Sequence, residues 1–524
     1  MKVELYDTTL RDGAQTQGIS FTVTDKMRIA ERLDDIEIGF IEGGWPGANP
    51  KDVQFFKSAK KLKLKNSRIV AFGSTRRAHI KPDKDAVLKG LLAADTECIT
   101  VFGKCWDLHV KEVLKTTLDE NLKMIEDSIR FLVSKDKFTI FDAEHFFDGY
   151  NENPSYAIKA LLAACEGGAE RIVLCDTNGG TLTSRVFEVV EEVKKKVKVP
   201  LGIHAHNDVD MAVANSIAAV QAGCAHVQGT ANAYGERCGN ANLISIIGNL
   251  KLKLGIDCVS DLALKGLVEA AHYIAEVSNM KINDNQPFVG PSAFAHKAGV
   301  HINAILKNPK SYEHIDPSKV GNRRNLLISE LTGKSGIIKK AEEINVNLDK
   351  KAPETQKILK LVQGLEHKGY HFEAAEASLE LFMKRSMKKF KKFFELKDFR
   401  VIIKKHLRGK ILTEATVKIK VGDKSEYAAS LGDGPVNALD NALRKALKDF
   451  YPGLSEMHLA DFKVRVLDEK AGTAAKVRVL IQSQDKTDSW WTIGVSENII
   501  EASWQALVDS VEYKLLKDSA KDRR

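Results

Sequence analysis

Short β-rich hydrophobic runs recur along the first half of the chain. Each ends in polar residues, and an amphipathic stretch with helical spacing follows. The runs are Val3–Thr9, Phe40–Trp45, Ile69–Gly73, Cys98–Gly103, Phe138–Glu144, Arg171–Thr177, Leu201–Asn207 and Val227–Asn232. Strands buried on both faces read as near-continuous apolar runs, and helices between them supply parallel crossovers. Eight such units in under about 250 residues predict an α/β fold, a (β/α)8 TIM barrel. A doubly wound open sheet is the alternative, but no GxGxxG follows the first run. The polar residues closing the runs are Asp7 with Asp12, Glu42, Glu144, Asp176, His204 with His206, and Asn232. In a barrel they converge on one mouth, where barrel active sites lie.

The texture then changes. Residues 285–335 are rich in Asn, Pro, Gly and His, and a Lys/Glu-rich stretch with helical character runs to about Lys405. Beyond Gly409 the pattern alternates as strands at Thr416–Val421, Phe462–Leu467, Lys476–Gln482 and Trp490–Val495, with helices at Pro435–Asp449 and Glu497–Leu516. Strand groups that each lead into a helix, twice over, predict a small duplicated α+β domain. The expected division is a barrel over 1–280, helical linker subdomains over 281–405 and a C-terminal domain over 406–517, with a frayed tail from Lys517 to Arg524.

Composition narrows the class. The 524 residues are 44% hydrophobic and 28% charged, as in ordinary globular chains. No apolar run of about 18 residues occurs, and the N-terminus enters a strand pattern directly, so no membrane segment is expected. Seven cysteines, an odd number without a CxxC pair, fit reduced thiols in a cytoplasmic protein. The net charge of +9 reads as a solvated lysine surface or as attraction to the phosphates of coenzyme A. The lysines concentrate between Lys339 and Lys410, and no aromatic-interleaved basic motif points to nucleic acid.

Chemistry concentrates in a few segments. Arg11 and Asp12 close the first run in Asp7-Thr8-Thr9-Leu10-Arg11-Asp12-Gly13, where they make either a structural ion pair or a reactive one. His204 and His206 sit at i and i+2 of a strand and so face one side. With Asp12 as the carboxylate, they suit a divalent cation such as Zn²⁺, Mn²⁺ or Co²⁺. Asn240, in Gly235-Glu236-Arg237-Cys238-Gly239-Asn240, offers an amide oxygen to that metal or its water, or else belongs to a loop that caps the next helix. Glu144 is a candidate acid or base, and Thr177 a candidate donor to a substrate carboxylate.

Asp7–Gly13, His204–Asp208 and Gly235–Asn240, in that order, resemble the signature elements of the isopropylmalate/homocitrate synthase family of metal-dependent barrel acyltransferases. Phe294–His301, Tyr312 with Ile315-Asp316-Pro317, and Leu431–Ala438 resemble later parts of the same family. The resemblance implies a divalent metal (Zn, Mn, Mg or Co) on Asp12, His204 and His206, with Asn240 beside it. It implies acetyl-CoA as co-substrate and a small 2-oxo acid held by Thr177, with Arg11 stabilising the developing alkoxide. Glu144, His301 and Tyr312 would serve as acid/base machinery, the last two donated by a neighbouring subunit of a homodimer. The C-terminal domain would be regulatory, with an amino-acid feedback ligand, isoleucine first. Two features depart from the better-known pattern. Asp142 stands where a small polar residue is common, and Glu42–Pro50 carries a Trp-Pro. Both resemble a pyruvate-using subgroup, so pyruvate ranks first and a branched 2-oxo acid second.

Overall fold

The computed structural model describes residues 2–47, 49–327, 334–343, 353–387, 390, 392–405, 409, 411–467 and 474–521. The chain forms two compact units: Met1–Phe294 with Ile315–Arg324, and Ala295–His314 with Asn325–Arg524.

The first unit is a closed barrel of eight strands in sequential order. These are β1 (Glu4–Asp7), β2 (Phe40–Gly44), β3 (Arg68–Ser74), β4 (Cys98–Lys104), β5 (Phe138–Glu144), β6 (Arg171–Asp176), β7 (Leu201–Ala205) and β8 (His226–Gly229). Each begins within one residue of its sequence-predicted run. All neighbours are parallel, and β1 closes on β8 with Glu4 opposite His226 and Asp7 opposite Gly229. Inward side chains below the mouth pack as an apolar plug of Tyr6, Phe40, Val70, Cys98, Ile140, Val173 and Cys175. A larger apolar shell lies between strands and helices. The helices begin where their sequences cap them. Thr22 and Asp25 make a reciprocal capping box on helix Val23–Asp35, and Asn49 precedes Pro50 at the start of helix Pro50–Ala59.

The second unit opens with a parallel pair of two-residue strands, β9 (Ala295–His296) and β10 (Asn325–Leu326). Helices Gly299–Lys307, Lys334–Glu343, Pro353–His367 and Glu376–Ser386 belong to it. Two antiparallel three-stranded sheets follow: β11 (Glu395–Lys405), β12 (Ile411–Val421) and β13 (Lys424–Gly432), then β14 (His458–Val466), β15 (Val477–Gln484) and β16 (Ser489–Ser496). Each sheet leads into a helix, Pro435–Leu447 or Ile499–Lys521, as the duplicated pattern predicts.

Two expectations are corrected. The Lys/Glu-rich stretch is not helical to Lys405, because Glu395–Lys405 is a strand paired along its length with Ile411–Val421. Its charged residues mask an alternation in which Phe399 and Val401 lie opposite Val417 and Ala415, on the face that joins the core. The last helix runs through Lys517 to Lys521, so the tail is not frayed there; residues 522–524 lie outside the described residues.

Candidate active site

The loop after β1 is built by its own side chains. The buried Asp7 carboxylate accepts from Thr9 N and Thr9 Oγ1, both at 2.8 Å, turning the chain sharply. The Thr9 hydroxyl oxygen also accepts from Ala231 N at 2.8 Å, which ties the loop to the end of β8. That turn delivers Arg11 and Asp12 to the barrel axis. Arg11 bridges two carboxylates, Nη1 donating to Asp12 Oδ1 and Nε to Glu42 Oε1. Its guanidinium lies 3.8 Å from the Phe72 ring centroid. Glu42 is held from below by Tyr6, whose hydroxyl donates to it at 2.6 Å.

Opposite this pair stand the two imidazoles of β7 and the residue after it. His204 Nε2 lies 3.2 Å from His206 Nε2, 3.2 Å from Asn240 Nδ2 and 3.6 Å from Asp12 Oδ2. The structure therefore gathers Arg11, Asp12, His204, His206 and Asn240 into one largely buried cluster. Gly235 makes room for it: a Cβ there would run into Asn240 Oδ1, and the backbone adopts φ +158°. Arg237 does not enter the cluster; it holds the loop by pairing with Asp208 at 2.7 Å and donating to Thr177 O at 2.8 Å.

The electrostatics suit ligand binding. Burial pushes the His206 imidazole down to about 3, with His204 beside it adding to the effect. Burial lowers His204 in the same direction. Both rings are neutral at ordinary pH, the form that binds metal. Burial works upward on Asp12, but the Arg11 guanidinium, the two imidazoles and the Thr8 hydroxyl together outweigh it and hold the carboxyl below its usual range. Burial raises Glu42 and lifts Asp142 well above the usual carboxylate range.

Metal fit follows from the donor set. His206 Nδ1 and Asn240 Oδ1 are buried without a hydrogen-bond partner among the described residues. Ligands about 2.1 Å from a metal lie roughly 3.0–3.4 Å apart, close to the separations around His204 Nε2. No group of three His, Cys, Asp or Glu is fully arranged around one point among the described residues. The chemistry of the donors fits a divalent cation, and Asn240 offers its oxygen by turning its amide.

Glu144 ends β5 beside Lys104, its register neighbour at the end of β4, and the two form a half-buried ion pair. Thr177 Oγ1 accepts from His145 N at 2.9 Å, leaving its own proton to donate. His145 has left-handed φ +55°, and its ring lies 4.2 Å from that of His109. His301 and Tyr312 stack on each other, 4.1 Å between centroids, in the second unit; Tyr312 is 47% exposed. Two expected mouth residues do other work. Asp176 accepts from Thr181 Oγ1 at 2.8 Å to pin its own turn. Asn232 donates to Ala271 O at 2.8 Å and accepts from Gln286 at 2.9 Å.

Lys104, Gln228 and Tyr6 were not singled out from the sequence. Lys104 lies one residue past its predicted run, where the rule that strand ends converge applies to it equally. Gln228 signals itself only as a polar side chain inside an apolar strand.

Three family models cover the chain: HMGL-like over residues 2–274, homocitrate synthase post-HMGL domain-like over 288–369, and LeuA allosteric (dimerisation) domain over 373–515. The chain belongs to the HMGL-like family, carrying the LeuA-type domain behind its barrel. It is 54% identical over 519 residues to the (R)-citramalate synthase of Aquifex aeolicus, covering 99% of this chain and 98% of the relative. It is 55% identical over 516 residues to that of Geobacter sulfurreducens, covering 98% of each. Identity to the 2-isopropylmalate synthase of Methanocaldococcus jannaschii is 29% over 520 residues, 98% of this chain and 95% of the relative. All seven cysteines are unpaired, and no helix among the described residues is long and apolar enough to cross a membrane.

Proposed function

We propose that this chain is an acyltransferase that condenses acetyl-CoA with pyruvate to (R)-citramalate, with hydrolysis of the thioester, in isoleucine biosynthesis in the cytoplasm. The identity of 54–55% over nearly the whole length of two (R)-citramalate synthases carries this reading. The 29% identity to a 2-isopropylmalate synthase places the branched 2-oxo acid second.

A divalent metal held by Asp12, His204, His206 and Asn240 would supply a Lewis acid for the keto group. Thr177 donates its hydroxyl proton to the substrate carboxylate. The acetyl methyl group loses a proton to a base, for which Glu144 is the barrel's candidate, and its carbon bonds to the keto carbon. Arg11 is fixed by Glu42, Asp12 and Phe72, so its guanidinium meets the alkoxide without reorganising. His301 and Tyr312, stacked as a pair, would reach the site from a neighbouring subunit of a homodimer and protonate that oxygen. Water then cleaves the thioester and releases coenzyme A. Feedback by an amino acid, isoleucine first, is the reading for the C-terminal unit. A cavity of about 740 Å³ there, lined by Asp440, Arg444 and Lys445 among others, offers both signs of charge.

Thiol release from acetyl-CoA, with pyruvate, 2-oxoisovalerate and 2-oxoglutarate in parallel and with and without chelator, tests the reaction. Chelator-sensitive turnover favouring pyruvate is expected. Preference for 2-oxoisovalerate would move the enzyme to leucine synthesis. Absence of turnover with all three in metal-replete protein would reject the reaction.

A further inference from the structure

One hydrogen-bonded chain crosses the barrel interior and ends on His204 at the mouth. Gln228 Nε2 on β8 donates to Asp142 Oδ1 on β5 at 2.9 Å. The other end of the same amide, Oε1, lies 2.9 Å from His204 Nδ1 on β7. Parallel pairing puts Gln228 in direct register with His204 on one side and Tyr6 on the other, so its side chain has a fixed place. Asp142, Gln228 and His204 are 4%, 0% and 5% exposed, too dry for water to replace either bond.

The chain has a direction. A primary amide donates at one end and accepts at the other. In the orientation present, the donating end meets Asp142 and the accepting end faces His204 Nδ1, which then carries the ring proton. A neutral imidazole has only one, so Nε2 is left as a bare lone pair. Nε2 is the atom that faces His206, Asn240 and Asp12. The opposite tautomer would fill that space with a proton. We propose that Gln228, held by Asp142, is a positioning residue that fixes the His204 tautomer and so keeps the Nε2 lone pair turned toward the donor cluster. The proposal rests on the metal reading given above, and it assigns a task to the Asp142 that departs from the family's common small polar residue.

Two readouts separate it from a plain packing role. In metal-free, ¹⁵N-histidine-labelled protein, His204 is expected in the Nδ1–H form, and Gln228→Leu redistributes the proton toward Nε2. In calorimetric titration with Mn²⁺, Gln228→Leu lowers affinity about tenfold or more, the usual cost of losing a partner behind a metal-binding histidine. The double variant Asp142→Asn with Gln228→Glu reverses the bond between those two positions but keeps an acceptor facing His204 Nδ1, so its affinity returns toward that of the parent. Should Gln228→Leu fail to fold, Asp142→Ala, which frees the amide to rotate, takes its place in both measurements. A parent His204 protonated on Nε2 overturns the proposal. So does unchanged Mn²⁺ affinity in Gln228→Leu alongside its loss in His204→Ala. Unchanged affinity in His204→Ala itself overturns the metal reading instead, and the tautomer assignment is then decided by the nitrogen spectra.

Discussion

The barrel and the C-terminal unit both bury ionisable groups, but they use them differently. In the C-terminal unit Arg385 pairs with Asp509 at 2.8 Å and also with Glu512, while Lys514 pairs with Asp485 and Asp518 at 3.1 and 2.8 Å. Those ion pairs join helices to one another and to a turn, and each charge meets its opposite. In the barrel, Asp12 and Glu42 share the Arg11 guanidinium, Asp142 bonds to the neutral Gln228 amide, and His206 Nδ1 and Asn240 Oδ1 have no partner among the described residues. The topology explains the contrast. Eight parallel strands bring the same end of every strand to one place, whereas antiparallel hairpins send alternate ends apart. The barrel brings its unpartnered groups to one cluster; those of the C-terminal unit, Arg385 Nε and Thr413 Oγ1 among them, sit on separate elements.

The largest expected effect is on the barrel alone. Arg11→Gln should lower kcat by about 10³-fold, the cost of removing a preorganised donor to a developing oxyanion, and leave unfolding of the C-terminal unit unchanged. A loss under tenfold would mean that Arg11 is a structural ion pair like those of the other unit. Asp7 comes next. Burial lifts its carboxyl to about 7, against the 3.8 of an exposed aspartate. The folded state therefore holds that proton more tightly than the unfolded one. Its stability contribution is complete below pH 3.8 and is lost as pH rises through 7, by a few kcal/mol, about 1.4 for each pH unit. Asp7→Asn cannot ionise, so denaturant titrations from pH 4 to 7 should show the variant gaining on the parent. A constant difference would mean the Asp7 carboxyl is already ionised.

Gly494→Ala probes the other unit. Its Cβ would strike Ala502 O at the start of the last helix. A cost of roughly 1–3 kcal/mol to that unit is expected, read as a lower melting midpoint, with the barrel's transition unmoved. A matching loss in both transitions would show that the two units unfold together. Lys104→Met is the mildest case. It removes the cation beside Glu144 without touching the Arg11 cluster, and kcat should fall about tenfold with little change in KM. Unchanged kcat would leave the Lys104–Glu144 pair as a surface bridge.

Much of the barrel could be read from the chain because its strands are buried on both faces and stand out as apolar runs. His204, His206 and Asp12 were readable for a related reason, because they lie at or just beyond the ends of such runs; Asn240 was read from the Gly-rich segment after the eighth run, and Asp176 and Asn232 end runs without joining the cluster. Gln228, Asp142 and Tyr6 were harder, since their partners sit on strands up to 94 residues away and depend on register around a closed ring. In the C-terminal unit, β11 and β13 escaped detection. Glu395–Lys405 and Lys424–Gly432 are half-exposed strands whose charged, Ala- and Ser-rich sequences resemble helix and loop. Pairing with β12 overrides that local preference.

The closure of β1 on β8 also sets an order of events during synthesis. Glu4 N donates to Ala225 O, so the first strand cannot find its second neighbour until more than 200 further residues have been made. Until then the nascent chain carries a parallel sheet with two open edges, the arrangement most exposed to wrong pairing. The hairpins of β11–β13 and β14–β16 need only their own short stretch of chain and can form as they leave the ribosome. Slowed translation just after β8, or chaperone occupancy up to that point, would bear on the yield of this barrel far more than any event in the C-terminal half.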